Sequence, residues 1–268
     1  MRHVKATLVC TWALTLLLAG APGSAQQIDS TAVRDSTERA MAVLQRMAEL
    51  LEQSPRFGVT IDIGFDAVQD LGQKIEFGET LQMVLRRPDR LRADTTKRDG
   101  SKHGFVFDGK NLTVFHPQEN VYAAVARPGS VDEAVAHFVH DLGMRFPLAG
   151  LLSNHLAQDL SEQVRVADYV ETSSIAGVLC DHLALRGDET DMQVWVAQGQ
   201  HPLPRRVVIT YRHADGRPQF WAQFSDWDLG PVAPDTLFAY TPPPGAVKIA
   251  FSPRQILEPA AATTQGGQ

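Results

Sequence analysis

Two consecutive runs of this chain, Phe57 to Phe65 and Ile75 to Leu85, carry an apolar side chain at nearly every second position. A period of two allows little except paired β-strands with one buried face. In the first run Val59, Ile61, Ile63 and Phe65 alternate with Thr60, Asp62 and Gly64. In the second, Ile75, Phe77, Leu81, Met83 and Leu85 share one parity, and Lys74, Glu76, Thr80, Gln82 and Arg86 fall on the other. The parity then assigns Arg87, just before the Pro88-Asp89 turn, to the apolar face. A buried guanidinium without partners costs several kcal/mol, so Arg87 is expected to find backbone carbonyls or a carboxylate.

The remaining elements follow from local signals. Ala40, Leu44, Met47 and Leu51 form one helical stripe ended by Pro55, with Asp29-Ser30 and Ser36-Thr37 as candidate N-caps. Leu91 to Asp94 begins a return strand, Phe105 to Phe115 reads as a hairpin about Asp108-Gly109, and Val121 to Ala126 adds a strand. From Ser130, with Glu133 three residues on, the period becomes helical through Val131, Val135, Phe138, Val139 and Leu142 to Gly143. Leu148, Leu151, Leu152 and Leu156 continue an unusually apolar insert. Strands resume at 164–170, 179–186, 192–197, 206–212 and 220–228. The arrangement is α+β, a curved antiparallel sheet wrapping apolar helices, in one domain over 26–252.

The ends carry separate information. Arg2 and Lys5, an apolar run from Ala6 to Ala19, and the small residues Gly23-Ser24-Ala25 read as a secretory signal peptide over 1–25. The run is shorter than the roughly 20 residues of a membrane span. Periplasmic localisation after cleavage, with no membrane span, is the expectation. Loss of Arg2 and Lys5 moves the formal charge from −6 to −8, which disfavours nucleic acid and anionic membranes as partners. Loss of Cys10 leaves Cys180 alone, so the fold must hold without an internal disulfide, and a large apolar core is required. The composition of residues 253–268 predicts a disordered tail.

Catalytic signatures are missing: no Gly-x-Ser-x-Gly elbow, Walker loop, Gly-x-Gly-x-x-Gly or His-Glu-x-x-His occurs. His137 and His140 have helical metal-ligand spacing but lack further ligands. Asp226 and Asp228 would share a strand face, and Asp181-His182 is half a triad, with nothing beside either to clamp a substrate. The expectation is a non-enzyme with no catalytic residue, metal site or cofactor. Two apolar surfaces must instead meet: a wall of Val59, Ile61, Ile63, Phe77, Leu81, Met83 and Leu85, and a cap holding Phe138, Leu142, Leu151 and Leu152. They make either a dry core, as in an envelope scaffold that grips a protein partner, or a cavity for an apolar ligand under a lid.

Several stretches resemble the periplasmic lipoprotein carriers LolA and LolB: Arg87-Pro88-Asp89-Arg90-Leu91, Asp108 to Pro117, and Phe238 to Ala246, the last looking like the carriers' closing strand. Cys180-Asp181-His182-Leu183, Pro202-Leu203-Pro204-Arg205-Arg206 and Pro242 to Ala246 look more narrowly like a family of predicted periplasmic proteins. The resemblance implies a half-open antiparallel barrel closed by helices around a hydrophobic cavity. It implies that Arg87 latches the lid through backbone carbonyls. It also implies a carrier or binding protein for a lipid, acyl chain or acylated protein.

Overall fold

The computed structural model describes residues 30–141 and 146–251. The expected signal peptide, the expected tail and Leu142 lie outside the described residues. Helix α1 (Ser30–Gln53) buries Ala40, Val43, Leu44, Met47, Ala48 and Leu51, and Asp29 of the first candidate cap pair lies outside the described residues. Ser36 and Thr37 are not caps; they sit inside the helix and bond a strand edge.

Strands β1 (Arg56–Val68), β2 (Lys74–Arg86), β3 (Arg90–Lys97), β4 (Lys102–Phe107), β5 (Asn111–His116) and β6 (Val121–Ala126) form one antiparallel meander. A second comprises β7 (Val166–Ile175), β8 (Val178–Arg186), β9 (Thr190–Ala197), β10 (Pro204–Tyr211) and β11 (Gln219–Asp228). Their first and last strands, β1 and β11, pair antiparallel. A short β12 (Val247–Lys248) adds parallel to β6, giving twelve strands among the described residues, in the order β12-β6-β5-β4-β3-β2-β1-β11-β10-β9-β8-β7.

This order places β6 and β7 near opposite edges, so the chain between them has to cross the sheet. That connection contains α2 (Val131–Ala136), a turn of 3-10 helix (Ala149–Leu152) and α3 (Leu156–Gln163). Ser130 and Glu133 form the capping box the spacing predicts. The α-helix stops at Ala136, and His137–Asp141 widens into a π turn rather than continuing the expected helix.

Register explains the alternation. Phe57, Leu85, Leu91, Phe107 and Leu112 are successive cross-strand partners, as are Val59, Met83, Ala93, Phe105 and Val114. These rows face the helices. Ile75 keeps the parity but is 45% exposed, because the β1–β2 hairpin runs past the packed region to an exposed tip at Asp70 to Gln73. Edge strand β7 breaks register between Tyr169 and Glu171, and α1 serves the backbone groups left there. Thr37 Oγ1 donates to the Ala167 carbonyl at 2.8 Å, and Ser36 Oγ accepts from the Tyr169 N–H at 3.0 Å.

The C-terminal segment is not the closing strand that the resemblance implies. Pro242 to Pro244 lack N–H donors, and the segment lies as a strap over the convex face. Phe238 is fully buried there with Val106, Phe115 and Ala233, and Tyr240 stacks on Phe115 at 4.5 Å. Arg86 donates to the Ala233 carbonyl at 2.7 Å and Arg92 to that of Leu237 at 3.0 Å. Phe238→Ala should cost about 3–5 kcal/mol in urea unfolding. It should leave the concave face, and any ligand affinity located there, unchanged.

Candidate functional site

Helix α1 fills only part of the concave face. It packs on β7 and β9, and its apolar stripe shares one buried cluster with Phe57, Val59, Ile61, Met83 and Leu85. Over β2 to β5 the insert stands off the sheet and leaves a cavity of about 720 Å³. Its floor is Ile63, Leu81, Leu91, Ala93, Phe105 and Val114; its roof is Val135, Phe138, Val139, Phe146 and Leu148. Ala93, a single methyl between Met83 and Phe105 in its row, contributes directly to the space. Phe138 meets Phe105 edge to face at 5.2 Å, joining roof to floor. The exposed residues Pro147, Ala214 and Gln219 mark where the cavity reaches solvent.

Of the wall and lid residues expected from sequence, Ile63, Leu81 and Phe138 line this cavity. Val59, Ile61, Met83 and Leu85 do not; they lie in the filled core because α1 occupies that part of the face. Phe77 stacks on the cavity residue Phe65 at 6.1 Å without lining the cavity itself. Leu151 and Leu152 belong to the 3-10 turn that touches α1, away from the opening.

The polar residues of the lining were missed, Asp66, Tyr211 and Gln219 among them. Glu79, Thr95 and His103 occupy inward positions on β2, β3 and β4, with Thr95 the cross-strand partner of both Leu81 and His103. Glu79 has the parity of Phe77 and Leu81, so alternation alone could have found it. Burial, followed by the charge of Lys97, pushes the His103 pKa down to about 4, and burial raises that of Glu79 against the opposing charge of Lys97. The His103 and His116 rings stack at 5.8 Å.

Arg87 lies at the closed end. Its Nη1 donates to the Leu152 carbonyl at 2.9 Å and to Asn154 Oδ1, and its Nη2 to the Leu51 carbonyl at 3.4 Å. One guanidinium thus ties the end of β2 to α1 and to the insert. Asp132 accepts from the Asn154 backbone at 2.8 Å and from its side-chain amide, and Glu52 accepts from the Ala157 N–H at 2.6 Å. Burial lowers the Arg87 pKa, opposed by the charges of Asp132 and Glu52.

The other chemical candidates are dispersed. His137 Nδ1 bonds Asp141 at 2.6 Å, and the π turn removes the one-turn spacing from His140. Among the described residues no three His, Cys, Asp or Glu side chains are placed to hold a metal ion. Asp226 takes a positive φ of 50°, which breaks the alternation with Asp228; Asp228 accepts from the Gly230 N–H, and Asp226 from the Ser225 hydroxyl. Asp181 and His182 point to opposite faces of β8, as neighbours in a strand must. His182 stacks on Trp195 at 4.1 Å, and Asp181 accepts from the Tyr169 hydroxyl at 3.0 Å. Cys180 is fully buried, and burial raises its thiol pKa. No helix among the described residues is long and apolar enough to cross a membrane.

A family model described as a predicted periplasmic protein, DUF2092, matches residues 40–252. The chain belongs to this family. The match covers α1 from Ala40 onward, both meanders and the insert, so the cavity lies wholly within the shared region. No curated protein matches the sequence. Among solved structures, the chain is similar to an uncharacterised conserved protein from Thermus thermophilus at 10% identity and TM-score 0.45, covering 79% of this chain and 99% of that one. Lipoprotein LppX from Mycobacterium tuberculosis matches at 16% identity and TM-score 0.45, with coverages of 74% and 99%. A LolA superfamily protein from Nitrosomonas europaea matches at 16% and 0.36, with coverages of 75% and 97%. Scores below 0.5 are too low to carry a functional argument.

Two measurements test the site's energetics. Arg87→Leu deprives the Leu51 and Leu152 carbonyls of a donor, at a cost of about 1–3 kcal/mol. Amide exchange should therefore accelerate across 149–157 while β1 to β5 stay protected. His103 is depressed in the folded state, so it is neutral there while the unfolded chain takes up a proton. The His103 contribution to stability should fall as pH drops from about 6.5 to about 4, by up to about 3 kcal/mol, and level off below. Urea midpoints of His103→Gln should lose that part of the pH dependence.

Proposed function

We propose that this chain is a non-enzymatic periplasmic binding or carrier protein whose cavity shelters one apolar ligand, a lipid or an acyl chain, free or attached to a protein. The observation that carries the reading is the cavity itself. A chain free to relax fills its core, because interiors pack to near-crystalline density and empty apolar space forfeits contacts. Here about 720 Å³ persists between well-formed walls. That volume falls within the roughly 300–1,000 Å³ of sites that enclose one small organic ligand. Each methylene moved from water to such walls contributes about 0.8 kcal/mol.

The insert is the lid in this reading, and Arg87 its latch. Removing the Arg87 contacts frees the 3-10 turn and with it the roof residues Phe146 and Leu148 that precede it. The resemblance of the Arg87-Pro88 segment and the Asp108 to Pro117 hairpin to lipoprotein carriers agrees with this assignment, as does membership in a family of predicted periplasmic proteins. A scaffold whose concave face grips a protein has no use for the unfilled half of the core, and the cavity weighs against it.

Native mass spectrometry with lipid extraction, on protein purified from the periplasm of expressing cells, tests the reading. A lipid or acylated species should co-purify. Ala93→Phe, which fills the space without adding a polar group, should abolish that mass increment and leave the thermal midpoint equal or higher. A clean apo mass, with no uptake of offered lipids by the unsubstituted protein, would overturn it.

A further inference from the structure

The cavity is not uniformly apolar. Across the sheet, the rows that begin with Phe57 and Val59 stay apolar through β5, whereas the next row runs Ile61, Leu81, Thr95, His103 and the one after it Ile63, Glu79, Lys97. Glu79, Thr95 and His103 line the same space as Phe105 and Phe138, so the cavity sets a polar patch on β2 to β4 beside apolar walls. Cross-strand partners hold their Cβ atoms within about 4.5–5.5 Å, with diagonal neighbours roughly 7–8 Å apart. Thr95 opposite His103, with Glu79 on the diagonal, is therefore a patch that one small polar group can span.

None of these three side chains forms a hydrogen bond with another described residue, although Thr95 is only 5% exposed. Their polar atoms open onto the cavity, so partners for them have to come from whatever occupies that space. The other acidic residue of the lining, Asp66, is already committed: it accepts from the Gln219 N–H at 2.9 Å and lies 3.5 Å from Lys74 Nζ. Glu79 has only the nearby charge of Lys97, which opposes the rise in its pKa without offsetting it. The unmet capacity of the patch is thus dominated by a carboxylate that needs a donor. His103, neutral near pH 7, and Thr95 can each donate or accept.

We propose that the cavity selects amphiphiles whose polar head donates hydrogen bonds, a hydroxyl or an amine, over those that end in a carboxylate, and that Glu79, Thr95 and His103 hold that head. This rests on the reading of the cavity as a ligand site. The head sits against β2 to β4 and the apolar tail extends between Phe105 and the roof. A carboxylate head would meet Glu79 as a like charge in a poorly solvated place, whereas a hydroxyl or ammonium supplies the missing donor.

The test is displacement of the neutral fluorophore N-phenylnaphthylamine from delipidated full-length protein by hexadecanol, hexadecylamine and palmitate, three probes of equal carbon number. Hexadecanol and hexadecylamine should displace it at concentrations at least about tenfold below palmitate, a difference of about 1.4 kcal/mol. Glu79→Gln should weaken hexadecylamine about tenfold and narrow the gap to palmitate, each referred to the variant's own affinity for the fluorophore. Glu76→Gln, on the opposite face of β2, should leave the ranking untouched. Palmitate binding as tightly as the alcohol, or a ranking unchanged by Glu79→Gln, would overturn the head-group assignment while leaving the cavity reading intact. Failure of the unsubstituted protein to bind the fluorophore or any of the three probes would instead sink both.

Discussion

The pairing of β1 with β11 sets the architecture. Both meanders are local, and either could have closed on itself; because the first strand of one pairs with the last of the other, their far edges end up on opposite sides of a twelve-stranded sheet. The segment between β6 and β7 crosses from one side to the other over the concave face. It carries the apolar residues Val135, Phe138 and Leu148, which need a surface to cover them. The helical roof is therefore a consequence of strand order as much as of its own composition.

Two helical segments now compete for one concave face. Helix α1 is tied to β7 by Ser36 and Thr37 and lies over that part of the sheet, burying its stripe against the large side chains near the seam. The insert, fixed at one corner by the Arg87, Asp132 and Asn154 network, covers β2 to β5 without filling the space beneath. A filled half gives the sheet its stability, and a spanned half gives it a cavity. The dry-core and cavity alternatives that the composition leaves open are both present, side by side.

The convex face is closed separately by the C-terminal strap, with Phe238 fully buried and Arg86 and Arg92 bonding its carbonyls. That second layer lets the concave side hold open space and polar groups without being the protein's sole core. It also explains Gly104: the Phe115 ring lies across its backbone, and any side chain there would collide with it.

The amino-acid sequence by itself determined the elements and their faces. The period of two in β1 and β2, the capping box at Ser130 and Glu133, and the Asp108-Gly109 turn are local rules, and local rules are legible one residue at a time. So was the need of Arg87 for carbonyls, since parity buries it and a buried guanidinium requires acceptors. Membership in a predicted periplasmic family was legible too, from the short motifs around Cys180, Pro202 and Pro242. Only the tertiary structure decided which inward residues meet α1 and which meet open space. Val59 and Ile63 are indistinguishable by pattern, yet the first is packed in the filled core and the second lines the cavity. The difference comes from where a helix distant in sequence lies over the sheet, and alternation along one strand carries no information about that placement.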